Sequence, residues 1–335
     1  MLPIDVNNIF SPEPGLFNQG ALDLFAYQYS GNAVYRRWCD LIVPADHPKN
    51  AAGLPLFEHY TSIPAMPIGF FKTETVQTGN YEPAFYFESS GTTGMDQSKH
   101  YLKDETVYQR SFFTAFEQVY GPVTNWCIIG LLPAYLERPH SSLVYMVEHL
   151  IQATNNARSG FYLYDHEALA QTLKVNEAAG QKTLLIGVTF ALLDFAAQYQ
   201  MPLQHTTILE TGGMKGRRKE LTRAEVHETL MNAFQVPTIH GEYGMTELLS
   251  QAYSLGNGIF ECPSWMNILI RDPEDALTYV SNGKTGGINV IDLANINSCS
   301  FIATQDLGKK YPNNSFEVLG RFDNSDIRGC NLMVY

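Results

Sequence analysis

Through the middle of the chain, short apolar runs alternate with longer segments in which apolar residues recur at helical spacing. Short apolar runs bounded by polar residues predict buried strands, and the longer amphipathic segments predict helices. Strands are predicted at residues 84–87, 126–132, 183–188, 206–210 and 238–240, and helices at 105–120, 141–153, 167–179, 190–198 and 223–234. Because this alternation is typical of βαβ units, it predicts an α/β fold with a largely parallel sheet covered by helices.

The pattern changes on both sides of this core, which we assign to residues 76–255. Residues 1–75 form a predicted helical lead-in, with a helical pattern over 18–40 followed by Pro-rich connections. Residues 256–319 form a predicted small β-rich subdomain, because short apolar runs there are punctuated by Gly, Asn and Pro. Its strands are predicted at 268–271, 278–280, 287–292 and 300–304, and residues 320–335 form a hinge and C-terminal segment.

The first candidate binding segment directly follows the predicted strand 84–87. It is a run of small and hydroxyl residues that comprises Ser89, Ser90, Gly91, Thr92, Thr93 and Gly94. Glycines let the backbone approach an anion closely, and backbone N–H groups and hydroxyls donate hydrogen bonds to phosphate oxygens. The run therefore predicts a phosphate-binding loop, although a plain turn explains it equally well when it is taken alone.

A second candidate segment, residues 240–247, follows the predicted strand 238–240. The ring of Tyr243 can stack on adenine, the Thr246 hydroxyl can bond an α-phosphate, and Glu247 can ligate Mg²⁺, which prefers oxygen donors. Gly244, in the same segment, is a further candidate nucleotide-binding residue. Together these residues predict a nucleotide site.

Two further segments complete the predicted nucleotide site. Gly212 and Gly213 close the predicted strand 206–210, where the main chain can approach a flat base. Asp306, in Thr-Gln-Asp, and Arg321, in Gly-Arg-Phe-Asp, can fix ribose hydroxyls.

Charge and composition exclude several other classes of protein. The net charge of −12 and the lack of a basic stripe disfavour a nucleic-acid partner, since phosphate backbones are bound by clustered Lys and Arg. No apolar run approaches the roughly 20 residues of a spanning helix, and Met1–Asp5 does not resemble a signal peptide. We therefore expect a cytoplasmic protein without a membrane span. Its five cysteines lack the spacing of a disulfide framework or a zinc site.

Six segments in order resemble the core motifs of the adenylate-forming superfamily, which includes acyl-CoA synthetases and peptide-synthetase adenylation domains. They read SSGTTG, TGGM, EYGMTE, GKTGG, TQD and GRFDNSDIRG. The lead-in, with FAYQY at 25–29 and IPAMPIGFFK at 63–72, is more specifically similar to the LuxE-type acyl-protein synthetases. This second resemblance spans nearly the whole chain.

The resemblance implies the large domain of adenylate-forming enzymes, with αβαβα-type subdomains, parallel sheets and a small antiparallel β region. It implies ATP and Mg²⁺ as cofactors. Ser90, Thr92 and Thr93 would contact the pyrophosphate side of ATP, Tyr243 adenine, Thr246 the α-phosphate, Glu247 Mg²⁺, and Asp306 and Arg321 ribose.

The chain departs from the superfamily pattern at two places. Met95-Asp96-Gln97-Ser98 precedes Lys99 where the usual phosphate loop has a Pro-Lys pair. We also expect the full C-terminal mobile domain of the superfamily to be missing, because the sequence ends at Tyr335. The LuxE-type resemblance implies instead a thioester on Cys330, with Asp323 at the hinge position.

The expected function is that of an ATP-dependent acyl-protein synthetase, with Cys330, Thr246 and Glu247 as catalytic residues. It would activate a carboxylic acid, of fatty or aryl type, as acyl-AMP and capture it on Cys330. The acyl group would pass to a partner such as an acyl reductase or a carrier protein. The alternatives are an acid–thiol ligase acting on free coenzyme A or a carrier-protein thiol, and a non-catalytic nucleotide-binding scaffold.

Overall fold

The computed structural model describes residues 9–10, 15–89, 97–132, 139–212 and 221–322. The helices are α1 (Leu16–Gly31), α2 (Ala33–Ile42), α3 (Phe70–Thr73), α4 (Glu105–Tyr120), α5 (Ser142–Ala153), α6 (His166–Ala178), α7 (Thr189–Gln198) and α8 (Arg223–Phe234). The strands up to the middle of the chain are β1 (Met66–Pro67), β2 (Phe85–Glu88), β3 (Lys99–Leu102), β4 (Cys127–Leu131), β5 (Gly160–Phe161), β6 (Thr183–Val188) and β7 (Thr206–Thr211). The remaining strands are β8 (His240–Tyr243), β9 (Ala252–Ser254), β10 (Ile259–Glu261), β11 (Met266–Arg271), β12 (Thr285–Asp292), β13 (Phe301–Lys310) and β14 (Phe316–Arg321).

One continuous sheet carries most of these strands, in the order β11-β12-β13-β14-β10-β9-β8-β7-β6-β4-β5. Strands β5, β4, β6, β7 and β8 pair in parallel. All pairs between β8 and β11 in this order are antiparallel. Strand β1 lies parallel to β13, and β2 pairs with β3 in a separate ribbon. The structure confirms the predicted α/β fold with a parallel sheet and an antiparallel region.

The parallel strands are buried on both faces, which explains their nearly continuous apolar sequences. In β4, Ile128 faces one hydrophobic cluster, whereas Cys127, Ile129 and Leu131 face the other. Helices α4 and α5 cover the first face, and α6, α7 and α8 cover the second. Polar side chains are therefore confined largely to the strand ends, where a binding site can form.

The lead-in is helical as predicted, but the helix predicted over 18–40 is divided into α1 and α2. The side chain of Asn32 accepts a hydrogen bond from the main-chain N–H of Tyr35 and so caps α2. The same amide group donates to the carbonyl of Ser298, and Gln28 donates to the carbonyl of Asn295. The lead-in thus holds the segment between β12 and β13.

Several predicted strands differ in the structure. The prediction at 238–240 is displaced, since β8 begins at His240 and reaches Tyr243. At 278–280 there is a single bridge between Arg271 and Tyr279. Six short strands were not predicted, namely β1, β3, β5, β9, β10 and β14. Within the described part of the chain, no helix has the length and apolar character needed to cross a membrane.

Candidate functional site

The carboxyl ends of β7 and β8 bring two of the predicted segments together. Thr211 pairs with Glu242 at the end of the parallel ladder, so the next residues, Gly212 and Tyr243, lie at the same edge of the sheet. Gly212 has φ +75°, a left-handed conformation that side chains other than glycine rarely adopt. This edge is where open α/β sheets bind ligands.

Tyr243 is held firmly at this edge. Its hydroxyl donates to Asp306 Oδ2 at 2.9 Å, and its ring packs edge-on against Phe260 and Phe316. Burial, followed by the charge of Asp306, raises the pKa of Tyr243 well above its ordinary value, so the hydroxyl keeps its proton. Only 8% of the residue is exposed, so stacking on adenine would use one margin of a fixed ring.

Asp306 and Arg321 are brought together by the antiparallel register of β13 and β14, in which they are direct partners. Arg321 Nε lies 3.5 Å from Asp306 Oδ1, and the arginine side chain remains 72% exposed. Burial raises the pKa of Asp306, although the Tyr243 hydroxyl and the nearby arginines oppose this shift. Tyr243, Asp306 and Arg321 therefore form one hydrogen-bonded and ion-paired row that ends at solvent.

Thr246 and Glu247 lie on a segment whose main chain is fixed by side chains from elsewhere. Asn295 Nδ2 donates to the carbonyl of Glu247 at 2.8 Å. The N–H of Leu249 donates to Asp292 Oδ2 at 2.9 Å and to Asn295 Oδ1 at 3.0 Å. The main chain at Glu247 and Leu249 is thus fixed by the last residue of β12 and by the segment that follows it.

The carboxyl group of Glu247 also lies against the stem of the predicted phosphate loop. Burial raises its pKa, while an interaction with the Ser98 side chain and the positive charges of Arg321 and Lys72 lower it. Ser98 is itself joined to the other stem, because its N–H donates to Ser89 Oγ at 2.9 Å and its carbonyl accepts from the Ser89 N–H. The two ends of the loop and Glu247 therefore form one assembly.

The oxygen donors here fit Mg²⁺ bound together with a nucleotide. Magnesium in such sites takes one or two protein carboxylates and completes its coordination with phosphate oxygens and water. Glu247 supplies one carboxylate, and among the described residues no three His, Cys, Asp or Glu side chains cluster as a metal cage would require. Glu247 would hold the ion, which would neutralise phosphate charge.

Two further carboxylates at this edge, the half-buried Glu242 and the buried Glu210, were not singled out from the sequence. The Thr211 hydroxyl donates to the carboxylate of Glu242, and burial raises the pKa of Glu242 to about 7. The space that a Cβ on Gly244 would need is occupied by this carboxylate, which explains the glycine of the motif. Strand alternation alone would have identified Glu242, since it lies between two residues that face the opposite side of β8.

Glu210 is the second such carboxylate. It accepts from the Thr189 hydroxyl at 2.5 Å and contacts His227 Nε2 at 3.4 Å. Burial alone would raise the pKa of Glu210, but the hydrogen bonds from His227 and Thr189 lower it overall, so the group is ionised. The Thr189 hydroxyl also lies 3.4 Å from the carbonyl oxygen of Gly212, which links this network to the edge where Gly212 and Tyr243 lie.

The remaining predicted site residues lie outside the described residues. These are Ser90, Gly91, Thr92, Thr93, Gly94, Gly213, Asp323 and Cys330. Their predicted roles, and those of the described residues, stay predictions.

Solved structures with a similar fold are adenylate-forming enzymes. ATP-bound MatB from Rhodopseudomonas palustris is 15% identical, with a TM-score of 0.54, over 73% of this chain and 50% of MatB. The o-succinylbenzoate CoA synthetase MenE from Bacillus subtilis is 16% identical, with a TM-score of 0.53, over 72% of this chain and 50% of MenE. The chain thus spans about half the length of these proteins. No protein of curated function matches the sequence.

At these identities the structural likeness shows the fold alone. The sequence itself carries the family assignment, because the family described as Acyl-protein synthetase, LuxE matches residues 11–335. The matched residues include most of the lead-in, the candidate site and the C-terminal segment. The chain therefore belongs to the LuxE acyl-protein synthetase family and has the fold of adenylate-forming enzymes.

Proposed function

We propose that this protein is an ATP- and Mg²⁺-dependent ligase that activates a carboxylic acid, of fatty type, as an acyl adenylate. It then transfers the acyl group to Cys330 for delivery to a partner protein such as an acyl reductase or a carrier protein. The observation that carries the proposal is the convergence of Tyr243, Asp306 and Arg321 on one edge, beside a carboxylate that contacts the stem of the phosphate loop.

The first step makes the acid reactive. A carboxylate oxygen attacks the α-phosphorus of ATP, the bond from that phosphorus to pyrophosphate breaks, and a mixed anhydride with AMP forms. Mg²⁺ bound at Glu247 would stabilise the charge on the leaving pyrophosphate. The Thr246 hydroxyl would donate to the α-phosphate, and Asp306 and Arg321 would hold the ribose so that the phosphorus faces the acid.

The second step makes a thioester. The thiolate of Cys330 attacks the acyl carbon, the bond from that carbon to the phosphate oxygen breaks, and AMP leaves. Because the reaction is divided into these two steps, the accepting partner attacks a thioester and not an unactivated carboxylate. The acyl group can then pass from the thioester to a second nucleophile without further ATP.

Acid-dependent exchange of labelled pyrophosphate into ATP tests the first step. A panel from acetate through long-chain fatty acids to aryl acids is run with Mg²⁺, and we expect exchange with one class. Glu247→Gln should reduce exchange about 100-fold, since it removes a charged ligand that acts on the developing phosphate charge. Exchange that is unchanged in Glu247→Gln would contradict its assignment as the magnesium ligand.

Covalent labelling with a radioactive acid tests the second step. Cys330→Ser should keep pyrophosphate exchange and lose stable acyl labelling, whereas Cys127→Ser, a substitution in buried β4, should keep both. Thioester formation on free coenzyme A without Cys330 would support the acid–thiol ligase instead. ATP binding without any acid-dependent turnover would support a non-catalytic scaffold.

A further inference from the structure

Strand β3, which follows the predicted phosphate loop, contacts the Thr246–Glu247 segment through the side chain of His100. The imidazole Nδ1 lies 2.9 Å from the carbonyl oxygen of Thr246, and Nε2 lies 2.9 Å from the hydroxyl of Ser298. The residue is 1% exposed, and its ring packs edge-on against Phe71 of α3. His100 thus joins three separate segments at a buried point next to the candidate site.

The two hydrogen bonds determine the state of the ring. A carbonyl oxygen only accepts, so Nδ1 must carry a proton and donate to Thr246. Ser298 Oγ then donates to the bare Nε2. Burial lowers the pKa of His100 to about 4, although the bond to Thr246 opposes the shift, so the ring is neutral at physiological pH.

Ser298 is itself fixed from a third direction. Its carbonyl accepts from Thr78 Oγ1 at 2.5 Å and from Asn32 Nδ2 at 3.0 Å. Asn32 caps α2 in the lead-in, and Thr78 lies between α3 and β2. His100 therefore connects a rigid anchor, made by Ser298 and its partners, to the main chain of Thr246.

The geometry also makes β3 a shared support for both parts of the candidate site. Ser98 and His100 lie two residues apart and face the same side, as alternate residues of an extended strand do. Ser98 contacts the Glu247 carboxyl group and the other stem of the loop, while His100 contacts the Thr246 carbonyl. A displacement of β3 would therefore disturb the contact of Ser98 with Glu247 and the contact of His100 with Thr246 together.

We propose that His100 is a positioning residue, whose Nδ1–H group holds Thr246 and Glu247 in register with Ser89 and Ser98 at the two stems of the predicted phosphate loop. This inference rests on the proposed function, since the register matters for phosphoryl chemistry on ATP. His100 acts through Thr246 and touches no substrate. Misplacement of a catalytic group by about 1 Å can cost on the order of 100-fold in rate, which sets the size of the expected effect.

Two substitutions separate the contacts of His100. The amide nitrogen of Asn reaches the position of Nδ1 and can donate to Thr246, whereas the longer Gln places its amide near Nε2, where its oxygen can accept from Ser298. His100→Asn should keep kcat for acid-dependent exchange within about 3-fold of the wild type. His100→Gln should lower kcat about 10- to 100-fold and raise the Mg²⁺ concentration for half-maximal rate, with KM for the acid unchanged.

Thermal unfolding supplies the control, because both substitutions remove one buried hydrogen bond and should lower Tm by similar amounts. Equal kcat for the Asn and Gln variants would overturn the positioning role. So would a loss of rate that follows Tm alone.

A measurement independent of activity completes the test. The ring nitrogen shifts of His100, assigned by comparison with His100→Asn, should show a protonated Nδ1 and a bare Nε2. An Nε2–H tautomer or a charged ring at pH 7 would overturn the inference even if the enzyme is active. Lack of exchange in the wild type with every acid would contradict the proposed function, while the nitrogen shifts would still decide the geometry around His100.

Discussion

The two halves of the sheet hold their carboxylates in opposite ways. On the parallel half, Glu210 has a side chain that is 9% exposed and has protein partners for both oxygens, Thr189 and His227. On the antiparallel half, Asp306 bonds Tyr243 and pairs with Arg321, whose side chain is 72% exposed. The first group is enclosed by protein, and the second opens to solvent through its partner.

This difference follows from how the two halves are covered. Helices pack on both faces of the parallel strands, so a polar group there must find its partners inside the protein. The end of the β13–β14 pair has an exposed cation, whose hydrogen-bonding capacity is available to a ligand. We infer that Glu210 contributes mainly to stability and that Asp306 and Arg321 contribute mainly to binding.

The largest expected effect tests the enclosed carboxylate. Glu210→Ala should lower the free energy of unfolding by about 3 kcal/mol, because it leaves Thr189 and His227 unpaired in a buried site. Chemical denaturation measures this change. Glu228→Ala, an exposed position on the same helix as His227, should change it by less than about 0.5 kcal/mol. Equal effects of the two substitutions would contradict the inference that Glu210 contributes mainly to stability.

An intermediate effect concerns Glu242, whose pKa is raised from 4.5 to about 7 by burial. Between these pH values the folded protein retains a proton that the unfolded chain has lost, so Glu242 makes stability fall as pH rises from 4.5 to 7. Glu242→Gln should remove this contribution and should make the protein more stable than the wild type at pH 8. The gain should be about 1–3 kcal/mol, since one pKa unit corresponds to about 1.4 kcal/mol.

Unfolding titrations at several pH values between 4 and 8 measure this slope. Glu228→Gln serves as the matched control, because it makes the same chemical change at an exposed position. A slope that is the same in Glu242→Gln and the wild type would show that Glu242 ionises normally.

The smallest expected effect on stability belongs to the open pair. Arg321→Ala should change the free energy of unfolding by less than about 1 kcal/mol, because exposed ion pairs contribute little. Calorimetric ATP binding should nevertheless weaken several-fold, and Arg321→Lys should recover part of the affinity. A large loss of stability with unchanged ATP binding would reverse the roles assigned to the two halves.

The sequence predicted the regular elements well where apolar periodicity was strong. Helices α4 and α8 and strand β6 have the predicted bounds, since long amphipathic or fully buried segments leave little choice of face. It failed for β9, β10 and β14, which are short or carry polar residues. Such strands are specified by the neighbours with which they pair, and no local pattern records that pairing.

The candidate site was likewise predictable only in part from the sequence. Tyr243, Asp306 and Arg321 were identified from local motifs, but their contacts depend on the register of three distant strands. Glu242, although it begins the EYGMTE segment, and Glu210 were not singled out from the sequence, yet both lie at the same edge. His100 was not predicted, because a single histidine in a sequence does not indicate a role until its hydrogen-bond partners are known.

The α/β class, the order of the main elements and the candidate nucleotide-binding segments could all be predicted from the sequence. These depend on apolar periodicity and on residue types with specific hydrogen-bonding capacity, which are local properties. Only the tertiary structure decided that Tyr243 bonds Asp306, that Glu247 contacts the loop stem and that His100 holds Thr246. Such contacts join residues far apart in sequence, and the packing of the whole sheet sets their distances.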